Sequence, residues 1–411
     1  MGNAPSPYRA ALAWLFGTQR FGIKLGLDNI RRLGAALELP APNERIIHVA
    51  GTNGKGSVCA LLDSVARAAG YRTALFTSPH LVTFRERIRV DGKMISEEEV
   101  TRGLVKIRDL VADWDPHPTF FEITTALALD HFRRHEADLV ILETGMGGRL
   151  DATNAFEPVV SVLTPIDFDH EKWLGATLSE IASEKAGIIK PGVPVISATQ
   201  LPEAEAVVRA RATGCNAPLD FVTQPFTRFP IGLSGTHQQE NAALALSALH
   251  TVGIEIKEEA IARGLAEVVW PARFQRWDKR TIIDGAHNPA GARTLAATWQ
   301  EIFGQKQATV LFAALQEKDV AAICVALAPI ARRWLLPDIR SERALAPAAL
   351  RLTIGQQLPK APVAVFPSFD AALAEAREDA APILITGSLH FAGEALAALS
   401  GEPAAFEECL Q

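Results

Sequence analysis

Nowhere in the chain do eighteen uninterrupted apolar residues occur, and no basic segment precedes the short apolar stretch of the opening "MGNAPSPYRAALAWLFGTQRFG". A bilayer span needs about 20 apolar residues and a secretory leader needs a basic n-region, so neither is expected. Cysteine is scarce and scattered at Cys59, Cys215, Cys324 and Cys409. Zinc-binding thiols come in close pairs, so these four read as reduced thiols of a cytoplasmic protein. A basic excess is also missing: 41 Lys and Arg stand against 47 Asp and Glu, a formal charge of -6. A nucleic-acid duplex calls for the opposite sign, so neither nucleic acid nor membrane is an expected partner. No short repeat, long heptad stretch or low-complexity tract is present beyond an alanine-rich C-terminal half, which fits helix propensity.

What remains is ordinary globular composition, 48% hydrophobic, enough for a large core. A chain of 411 residues exceeds the usual single domain, which predicts two, over 1–278 and 279–411, with the break marked by charged "QRWDKR" after "WPARF". Apolar runs bounded by turn residues alternate with stretches of helical period, the pattern of an α/β fold. Strands are expected at "RIIHVA", "RTALFT", "ADLVILET", "PVVSVLTPI" and "VPVIS". Helices are expected over 57–70, from Ser96, over 120–135, from about Thr177 and over 241–252. A second series begins at "TIIDGAHNP", continues through "ATVLFAAL" and ends at "PILITGSLH". The expected architecture is an N-terminal P-loop domain with a mostly parallel sheet, followed by a smaller Rossmann-like α/β domain.

The stretch "HVAGTNGKGS" departs from the usual phosphate loop, because Lys55 is followed by Gly56 and the hydroxyl arrives only at Ser57. Its setting between a strand and a helix is nevertheless what a triphosphate requires: backbone N–H groups and a helix start facing the anion, with a mobile lysine. Glycines at 51, 54 and 56 allow the main chain to approach. "ETGMGGRLDATN" puts Glu143 at the end of a buried strand, where α/β folds hold ligands and a carboxylate can hold magnesium. His170 in "TPIDFDH" occupies the corresponding place after the next strand. Hard cations prefer oxygen, so its chemistry alone leaves both a metal role and a hydrogen-bonding role open. Asp284, His287 and Asn288 in "GAHNP", with Thr386 and Ser388 in "TGSLH", suggest a second ligand surface opposite the first.

Ten segments in order, "HVAGTNGKGS", "TSPHL" with "FRERI", "TFFEITTALAL", "LETGMGGRLDATN", "DFDHEKWLG", "EKAGIIKPGVPVI", "NAALALSAL", "WPARFQ", "DGAHNP" and "ITGSLH", resemble the folylpolyglutamate synthases and bifunctional dihydrofolate synthases, relatives of the Mur peptide ligases. The resemblance spans nearly the whole chain and implies an ATP-dependent ligase adding L-glutamate to dihydropteroate or reduced folates through an acyl phosphate. It implies ATP between the domains, contacted by Asn53, Gly54, Lys55, Gly56 and Ser57, with Asn241, Arg273 and Asp284. Magnesium, as two ions, is implied at Ser57 or Ser78, Glu143, His170 and Lys185, with a monovalent cation as a further ion. Lys55, Lys185 and His170 carry the implied catalytic roles, and Lys185 matches a lysine that the family carbamylates. Read without the resemblance, Lys185 is an ordinary helix-surface lysine. Arg87, His287 and Ser388 are implied around glutamate, and Lys24, Phe120, Phe121 and Glu122 on the pterin side, with Asp151 a further substrate contact. A monomer is implied.

One departure bears on substrate choice. Bifunctional members commonly carry an aspartate where this chain has Lys24 in "GIKLGL", although other bacterial members carry lysine too. Folylpolyglutamate synthase activity alone is therefore the alternative. A Mur enzyme is a more distant one, since those chains usually carry an extra N-terminal domain and this loop begins about fifty residues in. A nucleotide switch without ligase chemistry would leave "DGAHNP" and "TGSLH" unemployed.

Overall fold

The computed structural model describes residues 6–21, 26–40 and 45–407; Lys24 and Cys409 lie outside them. The first sheet is built from β1 (Arg45–Ala50), β2 (Thr73–Phe76), β3 (Ile88–Val90), β4 (Lys93–Met94), β5 (Leu139–Glu143), β6 (Val160–Leu163), β7 (Val195–Ala198) and β8 (Leu219–Val222). Their order is β4-β3-β2-β5-β1-β6-β7-β8. All neighbours run parallel except the β2–β3 and β3–β4 pairs, so the sheet is mostly parallel, as expected. The short β3–β4 hairpin, which turns at Asp91 and Gly92, was not among the expected strands.

Continuous apolar strands result from burial on both faces. Ile46 of β1 and Val140 and Leu142 of β5 enter a core shared with the helices Pro7–Gly17, Glu97–Val111 and Phe120–Arg134. Their alternate neighbours Ile47, Val49, Leu139 and Ile141 point the other way, toward the helices Lys55–Ala68, His237–Thr251 and Glu258–Glu267. Helix starts are set by local chemistry. Ser96 with Glu99, Thr119 with Glu122 and Thr177 with Glu180 each form a capping box, in which side chains satisfy amides that have no partner within the helix.

The second sheet comprises β9 (Gln275–Arg276), β10 (Thr281–Ile283), β11 (Ala308–Phe312), β12 (Ala331–Pro337), β13 (Val363–Phe366) and β14 (Ile383–Thr386), ordered β13-β12-β11-β14-β10-β9. Only β9 is antiparallel, and it precedes the junction expected at 278/279. No described helix is long and apolar enough to cross a membrane.

The two sheets are joined by more than the connecting chain. Leu81, in the loop after β2, is buried in the apolar core of the second sheet. A Cβ on Gly393 of the helix Leu389–Leu399 would lie 1.9 Å from the Leu81 carbonyl oxygen. Further along, Glu407 reaches back to the same loop: its carboxylate accepts from the Phe84 amide at 2.6 Å, Thr83 Oγ1 at 3.0 Å and Tyr8 OH at 3.2 Å. Its carbonyl meets His80 Nε2 at 2.8 Å and its amide donates to the Val82 carbonyl at 2.7 Å.

The first sheet's covering layer depends on one close helix crossing. A Cβ on Gly264 would stand 2.5 Å from the Val65 Cα and 2.9 Å from the Ser64 carbonyl, both backbone and unable to rotate aside. Gly264→Ala is therefore expected to lose about 1–3 kcal/mol of stability, the range for overpacking, read as a lowered urea midpoint with unchanged slope.

Candidate active site

β1 delivers the chain to Gly51 at φ +146°. A Cβ there would lie 1.9 Å from Thr164 Oγ1, so the loop end is pressed against the end of β6. Gly54, at φ +91°, caps the helix Lys55–Ala68, whose first turn holds Gly56 and buried Ser57. Cβ atoms on Gly54 and Gly56 would meet Asn241 Oδ1 at 2.8 Å and Trp270 Nε1 at 2.7 Å. The loop is thus a backbone cradle with a polar wall, the form needed to surround phosphate oxygens. Asn241 is itself held by Gln238 at 2.9 Å, and Gln238 approaches Ser57 Oγ at 3.5 Å.

Lys55 Nζ donates to the Gly51 and Thr52 carbonyls, both at 3.1 Å. Lys185 Nζ donates to the same Gly51 oxygen at 2.9 Å. The surface reading of Lys185 is corrected here: its residue is only 3% exposed, because the Leu178–Ala186 helix packs this face inward. Burial, with the Lys55 charge adding to it, lowers its ammonium pKa to about 7, so near neutrality a substantial fraction is the nucleophilic free amine.

Glu143, the last residue of β5, is buried and accepts from the Ser78 amide at 2.9 Å. Burial raises its carboxyl pKa, opposed by Lys55, the Ser78 amide, Arg273 and Arg87. Ser78 Oγ is buried with no hydrogen-bond partner among the described residues. An unspent hydroxyl oxygen on the residue bonded to a dehydrated carboxylate is a donor set suited to a hard cation. His170 is about half exposed, with φ +54° and Nε2 4.0 Å from Asp169 Oδ1.

The second sheet faces this loop through the segment after β10. Asn288 and Asn53 exchange side-chain hydrogen bonds at 3.0 and 3.3 Å. Asn288 also donates to Asp169 Oδ2 at 3.0 Å, His287 Nε2 stands 3.6 Å from the same oxygen, and Lys318 Nζ lies 2.6 Å from Asp169 Oδ1. Burial disfavours the Asp169 anion, but His287, His170 and Lys318 outweigh it and hold its pKa well below the usual carboxylate range. Asp284 accepts from the amides of Phe274 at 2.7 Å and Ala286 at 2.9 Å, and Arg273 acts electrostatically on both Asp284 and Glu143. Ser388 caps the last long helix, accepting from the Phe391 amide at 3.0 Å.

Beside the loop after β2, Arg87 is fully buried, donates to His80 Nδ1 at 2.8 Å and lies 5.3 Å from the Phe120 ring. Phe121 packs where a Cβ on Gly145 would intrude. Two further expected substrate contacts, Asp151 and Glu122, also bind within their own loops. Asp151 turns both oxygens to its own loop, accepting from the Gly145, Met146 and Thr153 amides. Glu122 turns Oε2 to Thr119, accepting from its amide at 2.8 Å and its hydroxyl at 2.9 Å. Both are buried and shape the loops that carry their neighbours. Sequence reasoning passed over Asp169 and Lys318, although "LQEKDV" set charged residues just after the strand "ATVLFAAL".

Residues 49–201 match the Mur ligase middle domain and residues 272–389 match the Mur ligase, glutamate ligase domain. The chain is 40% identical over 345 residues to a Bacillus subtilis dihydrofolate synthase/folylpolyglutamate synthase, covering 76% of this chain and 80% of that protein. The chain belongs to the dihydrofolate synthase/folylpolyglutamate synthase family. Two solved structures share its fold. Escherichia coli FolC in complex with DHPP and ADP is 32% identical with a TM-score of 0.87, over 97% of this chain and 99% of that one. The bifunctional folylpolyglutamate synthase/dihydrofolate synthase of Yersinia pestis, complexed with AMPPNP and Mn, is 30% identical with a TM-score of 0.86, over 97% and 100%.

In this family member the Asp169–Lys318 pair spans the two sheets with both side chains about 90% buried. Removing Lys318 leaves the buried Asp169 anion to Asn288 and the two histidines. Lys318→Ala is expected to cost up to about 3 kcal/mol, and a double-mutant cycle with Asp169→Asn should recover most of that as coupling.

Proposed function

We propose that the chain is an ATP-dependent ligase that joins the amine of L-glutamate to the carboxylate of dihydropteroate and of reduced folates, a bifunctional dihydrofolate synthase/folylpolyglutamate synthase. The observation that carries this reading is the facing of two loops. A glycine cradle with Lys55 ends β1, and the Asp284–Asn288 segment of the second sheet meets it through Asn53 and Asn288. A bare nucleotide switch needs only the first.

A carboxylate is a poor electrophile. Its oxygen attacks the γ-phosphorus of ATP, ADP departs, and the acyl phosphate that forms is attacked at carbon by the glutamate amine, which loses a proton as phosphate leaves. Gly54, Lys55, Gly56 and Ser57, with Asn53, Asn241, Arg273 and Asp284, bind the nucleotide in this reading, and Lys55 offsets charge on the transferring group. Magnesium, held by Ser57 or Ser78 with Glu143 and His170, would draw electron density from the phosphoryl oxygens. Arg87, His287 and Ser388 orient glutamate, and Phe120 and Phe121 flank the pterin. Residues 1–278 bind ATP and 279–411 carry the glutamate side, and meeting of the two excludes water that would hydrolyse an acyl phosphate. The chain acts as a monomer in the cytoplasm, without nucleic acid or membrane.

Lys24, in place of the aspartate common in bifunctional members, supports a second reading as a folylpolyglutamate synthase alone. ADP release with Mg·ATP and L-glutamate should occur with both dihydropteroate and tetrahydrofolate. Turnover with tetrahydrofolate only would establish the second reading, and silence with both would reject the ligase. Lys55→Ala should abolish release, and near-normal turnover in that variant would remove the phosphate-loop assignment.

The lowered Lys185 pKa suits carbamylation, because only the neutral amine adds to CO2. The carbamate then presents anionic oxygens that can hold a second ion. Enzyme kept free of CO2 at pH 8 is expected to lose activity and regain it with bicarbonate, while Lys185→Ala gains nothing. A bicarbonate-independent rate in the parent enzyme would reject the modification.

A further inference from the structure

We propose that Glu99, His131 and His135 form a binding site for a zinc-class divalent transition ion, apart from the ligase centre. His131 and His135 sit one turn apart on the helix Phe120–Arg134 and at its end, and Glu99 faces them from the helix Glu97–Val111. One ligand atom from each residue lies within 4.8 Å of the others. Glu99 Oε1 is 3.5 Å from His131 Nδ1 and 3.5 Å from His135 Nε2. Tetrahedral zinc with bonds of roughly 2.0–2.1 Å sets neighbouring ligand atoms about 3.3–3.4 Å apart, so the two distances from Glu99 Oε1 already match edges of such a site. The two imidazole nitrogens, within 4.8 Å of each other, complete it with a small adjustment.

Each donor is prepared by its surroundings. The His131 side chain is 3% exposed, and its Nδ1 is buried with no hydrogen-bond partner among the described residues. That is a costly state for a polar atom, and a metal bond would relieve it. The His135 Nδ1 is 2.9 Å from the His131 carbonyl, which can only accept, so the proton sits on Nδ1 and the Nε2 lone pair is left toward Glu99. This is the second-shell arrangement that orients metal-bound imidazoles. Glu99 Oε2 is occupied by Ser96 Oγ at 3.1 Å, which turns Oε1 to the rings.

Two cations oppose the ion. Arg102 and Arg134 stand 3.6 and 3.9 Å from Oε1. Arg102 is more than half exposed and free to swing into solvent, and Arg134 keeps Asp130 at 3.0 Å. Two imidazoles and one carboxylate favour zinc-like ions over magnesium or calcium, and the half-exposed His135 leaves a fourth position to water. A bound ion would staple two of the helices that cover one face of the first sheet.

The test uses the full chain stripped of metal, with excess Mg2+ and ADP filling the ligase centre, and zinc titrated calorimetrically. A single equivalent is expected, with affinity reduced at least about tenfold in His135→Ala and in Glu99→Gln but kept in Glu143→Gln. Zinc should also raise the melting temperature of the parent and leave that of His135→Ala unmoved, with ligase turnover equal in the two. Absence of zinc binding, equal affinity in His135→Ala and Glu99→Gln, or loss of binding in Glu143→Gln would each overturn the proposal.

Discussion

Two ammonium groups converge on one carbonyl oxygen. Lys55 from the start of the loop helix and Lys185 from a helix more than a hundred residues later both donate to Gly51. Gly51 in turn has no room for a side chain against Thr164. Burial, with the repulsion of Lys55 added to it, lowers the Lys185 pKa. The position of β1, the seat of the loop helix and the depth of the Leu178–Ala186 helix all meet at this point. A shift of Gly51 would misplace the whole phosphate cradle.

Around that point burial acts in opposite directions on opposite charges. It pushes the Glu143 and Asp284 carboxyls up and the Lys185 ammonium down, moving each toward its neutral form. Asp169 is the exception, since its basic neighbours overcome burial. Its charge persists at the seam between the sheets, where the pair with Lys318 fastens one to the other.

The sequence was most legible where one physical demand dominates. Fully buried parallel strands announced themselves as apolar runs, as at "LVILE", and helices were expected from Ser96 and from about Thr177, where capping boxes form. Glycine positions in the phosphate loop carried their own reason, because the backbone must lie close to Asn241 and Trp270. Less legible was burial decided by distant packing. Lys185 has the local pattern of a surface residue, and only the stacking of its helix on the end of β1 takes it from solvent. Asp151 and Glu122 show a second limit: each satisfies amides of its own turn, a local use that an acidic letter in the sequence does not announce. Lys318 and Asp169 lie 149 positions apart, and nothing in either neighbourhood names the other.

The return of Glu407 to the loop after β2 has a mechanical meaning. Besides the covalent passage before β9, the Asn53–Asn288 bonds and the Asp169–Lys318 pair, the second sheet's body is held to the first by the grip of residues 80–84 on Glu407. A body held only at its covalent passage could turn about any axis. An attachment at the far end of its chain removes most of those rotations, so the loop after β2 and the phosphate loop are kept in one fixed relation to the second sheet.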